Sequence, residues 1–220
     1  MIFKYHIYCN INKVKNMSQK TSKLYNLINN PIVYMIFQKI MSGTSFRKNI
    51  IIKNIKNKKV KVLDIGCGPA EILNYIPNSI YYGFDIDRRS INYAKNRYTN
   101  KNHHFYCKYF VKQDLTKLPK FDHVILFGIL HHLDDEKAKN ILHLCKKAMK
   151  AGATLLTEDP IFVKNQNFIA KFLISRDRGM NVRTEGNYIN LIKINFKKIK
   201  SKISHQFFIP YTWHSMICKK

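Results

Sequence analysis

The segment Val62-Leu-Asp-Ile-Gly-Cys-Gly-Pro-Ala70 restricts the folds open to this chain more than any other stretch. A short apolar strand, Val60 to Ile65, carries one carboxylate near its end and runs into a Gly-x-Gly loop. Glycine has no Cβ, so Gly66 and Gly68 can take positive φ and bring backbone close to a ligand. From Ala70 to Tyr75 the residues suit the start of a helix. Strand, glycine loop and helix make the nucleotide-binding corner of an open α/β sheet. Asp64 narrows the ligand. Its carboxylate repels a pyrophosphate but can orient loop backbone or hold an ammonium or a water. The corner therefore suits a cofactor with a nucleoside and a cationic end better than a dinucleotide.

A second strand supports the same corner. Ile80-Tyr-Tyr-Gly-Phe-Asp85-Ile-Asp87 is apolar, ends in acid and follows the glycine loop by about 20 residues, where a nucleoside site needs its ribose acceptor. Asp85 fits that role, because one carboxylate can accept from both the 2′ and 3′ hydroxyls. Gly-x-Gly alone is a weak signal; with Asp64 before it and Gly83-Phe-Asp85 after it, the signal becomes specific.

These residues resemble the class I S-adenosylmethionine-dependent methyltransferases. Asp64-Ile-Gly66-Cys67-Gly68 and Gly83-Phe-Asp85 are similar to that family's first two motifs. The resemblance continues through Lys112-Gln-Asp114-Leu115, through Phe121 to Leu133, and through Leu144 to Glu158. It is dense from Val60 to Pro160 and looser over the chain from Ser22 onward. Many members carry a third glycine where this chain has Ala70, and alanine is still small enough for close helix packing.

The resemblance implies an α/β, Rossmann-like fold: a seven-stranded, mostly parallel sheet with a C-terminal antiparallel hairpin, helices on both faces and an N-terminal helical cap. It implies S-adenosylmethionine as cofactor, S-adenosylhomocysteine as product, and no metal. Asp64 with the backbone of Gly66, Cys67 and Gly68 would hold the methionine end. Asp85 would bind ribose and Ile86 would cover one adenine face. Asp114 would accept from the adenine amino group beside Leu115, and Phe127 and Gly128 would lie near the sulfonium. Against these roles stands a plainer one, in which Asp85 or Asp114 caps a neighbouring helix.

Methyl transfer from a sulfonium is an in-line displacement, so the protein mainly positions two partners and excludes water. His131 and His132 lie just past the fourth strand, where either is a candidate general base for a hydroxyl acceptor or a structural neighbour of the cofactor. Glu158 and Asp159 end the fifth strand, where acceptor-site residues often arise, and Asp159 joins the two histidines as a catalytic candidate. Arg176, Arg178 and Arg183 suit a carboxylate or phosphate on the acceptor, with Asp177 as orienter or base. The same arginines equally fit a salt-bridge network that fixes an insertion. Tyr211 is a further candidate for lining the substrate pocket.

Composition bounds the alternatives. The chain has 220 residues, enough for one α/β domain and too few for two comfortable ones. No apolar run reaches the roughly 18–20 residues that cross a bilayer. Its five cysteines are scattered without a Cys-x-x-Cys pair, which points to free thiols in a reducing, cytoplasmic setting. The net charge of +26 invites a nucleic-acid partner. Lysines dominate and spread along the whole chain, however, although arginine is the better phosphate fork. Compositional drift toward Lys, Asn and Ile explains that pattern more simply. A small-molecule acceptor is thus the main expectation and an RNA methyltransferase its rival. The Asn- or Asp-Pro-Pro-aromatic tetrad of base-amine methylation is replaced here by Phe127-Gly-Ile-Leu130. Asp64 and Ala70-Glu71 disfavour an NAD-type dehydrogenase. A non-catalytic protein retaining the fold is the remaining alternative.

Three regions are expected. Residues 1–20 form an extension without clear period, whose basic, acid-free composition also fits an organelle transit segment. Residues 21–57 form the helical cap, with two helices broken at Pro31 and a third from Ser45 to Asn57. Residues 58–220 form the cofactor-binding domain. Within it, Ser90 is read as the cap of a helix to Arg97, with a strand expected over His104–Phe110 and another over Phe121–Phe127. A helix from Asp134 to about Met149, ended by Gly152, leads to a strand over Ala153–Thr157. Helices follow over Ile161–Leu173 and from the Thr184 cap through Ile192. Asn195–Ser204 and His205–Ile217 are expected to close the sheet as a hairpin.

Overall fold

The computed structural model describes residues 43–56, 59–175, 177, 179–206 and 210–220. The expected extension 1–20, the first two cap helices, and Arg176 and Arg178 lie outside the described residues. Strands β1 (Lys61–Ile65), β2 (Ile80–Asp85), β3 (His103–Cys107), β4 (Phe121–Phe127) and β5 (Met149–Phe162) run parallel in the order β3-β2-β1-β4-β5. A two-residue strand, β6 (Arg183–Thr184), pairs in parallel with the end of β5, off the main path. The hairpin of β7 (Lys198–Gln206) and β8 (Tyr211–Lys219) completes the sheet antiparallel to β5, with β7 at the edge.

The central strands are apolar on both faces, as strands covered on both sides must be. Val124 and Leu126 face one core and Ile125 and Phe127 the other. Helices α1 (Gly43–Asn54) and α2 (Arg88–Arg97) cover one side through Ile51, Ile91 and Ala94. On the other, α3 (Asp135–Ala148) and α5 (Glu185–Lys193) bury Leu142, Cys145, Tyr188 and Ile192. A shorter helix, α4 (Phe168–Ser175), packs Ile174 against Tyr211 and Trp213 of β8. No described helix is long and apolar enough to cross a membrane.

Several elements differ from expectation. Asp87, not Ser90, caps α2: its side chain accepts from the Arg89 and Ser90 amides. The expected helix after the glycine loop is a single 3-10 turn, Glu71–Asn74. Gly152 does not end α3, which stops at Ala148. It lies in a bulge instead: Phe121 pairs with Met149 but His123 with Thr154, and Gly152 turns the extra residues at φ 74°. β5 runs on to Phe162, which delays the helix expected from Ile161 until Phe168. Thr184 stands at the N-cap of α5, but its side chain makes no capping bond.

The excursion between β5 and β6 is tied down by one ion cluster. The buried His131 ring meets Asp159 Oδ1 through Nδ1 at 2.8 Å and Asp177 Oδ1 through Nε2 at 3.2 Å. Tyr211 donates its hydroxyl to Asp177 Oδ2 at 2.6 Å, and the Asn181 amide donates to the His131 carbonyl. Burial alone would depress the imidazolium, but the bonds to Asp159 and Asp177 outweigh it and raise its pKa to about 9. The ring is therefore a cation between two carboxylates at neutral pH.

Two outcomes follow from these local structures. Ala70 is wholly buried at φ 57°, the position where glycine is usual. Ala70→Gly trades relief of about 1–2 kcal/mol of left-handed strain for a buried methyl worth about 0.8 kcal/mol and glycine's entropy of about 0.5–1 kcal/mol. Chemical denaturation should then show a change below about 1 kcal/mol, whereas β-branched Ala70→Val should cost about 2–3 kcal/mol. For the ion cluster, a pKa raised from 6.5 to about 9 means stabilisation fully present below pH 6.5 and lost as pH rises through about 9. Hydrogen-exchange protection at Gly179 and Asn181 should fall over that window. Flat protection factors from pH 6 to 10 would refute the clamp.

Candidate active site

The mouth of the sheet lies at the carboxyl ends of β1, β2, β4 and β5, where the strand order reverses about β1. Gly66 and Gly68 take φ 77° and 51°, so the loop after β1 turns sharply across this mouth. The amides of Gly66 and Cys67 both donate to the Phe84 carbonyl, which anchors the loop to β2. A Cβ on Gly66 would stand 2.1 Å from Ile129 Cδ1, and one on Gly83 would stand 2.9 Å from Cys67 Sγ. Close approach therefore requires glycine at both positions, and at Gly66 the positive φ requires it as well.

Asp64 is buried at the base of this loop and accepts from the Tyr81 hydroxyl at 2.6 Å. Burial raises its pKa to about 7, partly opposed by that hydrogen bond and by the charge of Arg47. A carboxylate so poised gains from a cationic partner, as an ammonium would supply. Asp85 accepts from the Gly68 amide at 2.7 Å through Oδ2 and from the Asp87 amide at 2.8 Å through Oδ1. Each oxygen keeps a second lone pair, so holding the loop and binding a diol are compatible. Ile86 is 43% exposed beside it, an apolar surface available to a flat ring. The residues present thus fit a nucleoside with a cationic tail. A single 3-10 turn after the loop supplies little helix dipole for a pyrophosphate.

Asp114 takes the capping role weighed for it. It is buried, accepts from the Val111 amide at 3.0 Å and pairs with Lys108, leaving only its remaining lone pairs for an adenine amino group. Leu115 is partly buried against the core beside it. Phe127 ends β4 with the Arg47 guanidinium over its ring at 5.6 Å. Gly128 turns at φ 70° and donates to the Glu158 carbonyl.

The acceptor-side candidates separate. His131 has both ring nitrogens engaged by carboxylates, so its imidazolium has no lone pair to take a proton. The His132 ring packs on His131 at 4.0 Å between centroids. Asp159 is fully buried, with Oδ1 committed to the amide and ring of His131. Arg183 is spent on the fold: it bonds Asp135 and the carbonyls of Leu130, Leu133 and Asn181, the network that fixes the excursion. Tyr211 is 2% exposed and holds Asp177.

Two participants were not evident in the sequence. Arg47, from α1, donates to Glu158 Oε1 at 2.9 Å across 111 residues of chain. Tyr81 is the hydroxyl partner of Asp64. The one available signal for Arg47 was chemical: the chain has seven arginines against 32 lysines, so each retained fork stands out.

A family model described as a methyltransferase domain matches residues 63–155. The protein named "Putative methyltransferase 235L" from Invertebrate iridescent virus 6 is 29% identical over 164 residues, 69% of this chain and 60% of that protein. The chain thus spans about 60% of the length of that relative. Among solved structures, a SAM-dependent methyltransferase from Archaeoglobus fulgidus superposes with a TM-score of 0.65 at 18% identity, covering 85% of this chain and 99% of that one. N-methyltransferase NodS from Bradyrhizobium japonicum WM9, in complex with S-adenosyl-L-homocysteine, gives 0.61 at 13%, covering 92% and 94%. Human N-acetylserotonin methyltransferase in complex with SAM gives 0.61 at 18%, covering 91% and 60%. Residues 63–155 thus match a methyltransferase-domain model, and the chain shares its fold and strand order with solved SAM-dependent methyltransferases.

Proposed function

We propose that the protein transfers the methyl group of S-adenosylmethionine to a small-molecule acceptor. The observation that carries this reading is the pairing of Asp64 at the glycine loop with Asp85 at the end of β2, both opening on one mouth. Asp64 and the loop backbone hold the methionine end, Asp85 the ribose and Ile86 an adenine face. When bound, the cofactor supplies an electrophilic methyl carbon on a sulfonium. Phe127, Gly128 and the Arg47–Glu158 pair line the neighbouring space, where they orient the acceptor and keep water out.

The distribution of charge supports a small acceptor over a nucleic acid. Asp64 and Asp85 stand at the carboxyl ends of β1 and β2, Asp114 and Asp177 follow β3 and β5, and Glu158 and Asp159 lie within β5 toward its end, with Arg47 and Lys108 as cations among them. Lys61, Lys120, Lys146, Lys147, Lys150 and Lys220 lie at the opposite ends.

Calorimetry should detect S-adenosylmethionine binding and no heat with NAD. Asp85→Ala should weaken cofactor affinity by at least about 100-fold, the value of two charge-assisted hydrogen bonds; unchanged affinity would refute its assignment. With labelled donor, total small-molecule extract should accept methyl groups and total RNA should not. Label confined to RNA would reverse the choice of acceptor.

A further inference from the structure

Glu158 has a feature that the methyl-transfer reading leaves unused. Its side chain is fully buried; Oε1 accepts from Arg47, and Oε2 has no hydrogen-bond partner. A buried carboxylate oxygen without a donor is costly and rare, and a site is where it is tolerated. The oxygen stands beside the end of β4: Glu158 pairs in register with Phe127, and its carbonyl receives the Gly128 amide. Arg47 is the more exposed member of the pair, 19% against 0%, so the approach to Oε2 passes the guanidinium.

We infer that the methyl acceptor is an amine carrying at least one N–H, and that Glu158 Oε2 receives that N–H. The inference rests on the methyl-transfer reading and names its substrate class. Three observations converge on it. The open group is an acceptor, so it selects a donor on the ligand. Asp64 and Asp85 end β1 and β2 near Glu158, with Arg47 as the cation among them, a set of net negative charge that favours a ligand that is cationic or becomes so. The proton on the nucleophile needs an open base, and His131 has both ring nitrogens bound to carboxylates, which leaves that work to Glu158.

An amine held as its ammonium first gives one proton to Glu158 Oε2, which frees the nitrogen lone pair. That lone pair attacks the methyl carbon as the carbon–sulfur bond breaks. The electron pair of that bond passes to sulfur, which becomes a neutral thioether. Glu158 returns its proton to water, and the product leaves as the methylated ammonium. Burial raises the Glu158 pKa despite the charge of Arg47, which suits a group that must briefly hold a proton.

The test uses the full chain and labelled donor. Total small-molecule extract is divided, and one half is acetylated to block its amines. Label should enter the untreated half and be lost from the blocked half. Label persisting in the blocked half would overturn the amine while leaving methyl transfer intact. Absence of donor binding by calorimetry, or of label in either half, would overturn the parent reading and this one together. Glu158→Gln should bind S-adenosylmethionine within about twofold of the parent, which also reports a folded protein. It should lose about 100-fold or more in kcat/KM for the labelled amine. Unchanged kcat/KM would remove Glu158 from the role.

Discussion

Successive residues of a strand point to opposite faces of its sheet, and within β5 the neighbours Glu158 and Asp159 are both acids. Glu158 reaches one face and engages Arg47 of α1. Asp159 reaches the other and engages His131, which in turn holds Asp177 and the excursion beyond β5. One dipeptide thus fastens the segment before the sheet and the segment after it to the same strand. The cost is two buried carboxylates, each with one oxygen unpartnered. Such a cost is usual where polar groups serve a site rather than stability. The neighbouring mouth inherits its shape from these two anchors.

The arrangement also divides labour between residues that sequence alone treats alike. His131, Asp159, Asp177 and Arg183 had been candidates for chemistry, and the geometry gives them the work of fixing the excursion. Arg47 and Glu158 occupy the space beside β4 that chemistry requires. The difference lies in what remains open on each group. An imidazolium held at both nitrogens is closed, whereas Glu158 and Asp159 each keep one oxygen unpartnered, and of the two it is Glu158 that stands on the Arg47 and Phe127 side.

The nucleotide corner was legible because its signals are local. Gly66, Gly68, Gly83, Asp64 and Asp85 lie within two strands and one loop; positive φ selects glycine at Gly66 and Gly68, and close contact with Tyr81 and Cys67 selects it at Gly83. The alternation of strands and helices and the closing hairpin were legible for the same reason. Boundaries were less so. Asp87 and Ser90 are both good caps, three residues apart, and only the fold shows that Asp87 bonds the free amides. Gly152 reads equally as a helix terminus or a bulge until the β4 register is known. Arg47 and Glu158 could not be paired in advance, because 111 residues separate them and no periodicity links them. Ala70 was read as a packing substitution, and its positive φ emerged only with the backbone.

The edge strand β7 gives part of the large charge a role apart from any ligand. Lys198, Lys200 and Lys202 recur at every second position, all exposed and all on one face. A second copy adding itself edge to edge would bring these cations into register with its own. Repulsion of that kind is how natural sheets keep an open edge from recruiting further strands. These lysines thus oppose the edge-to-edge addition of a further copy.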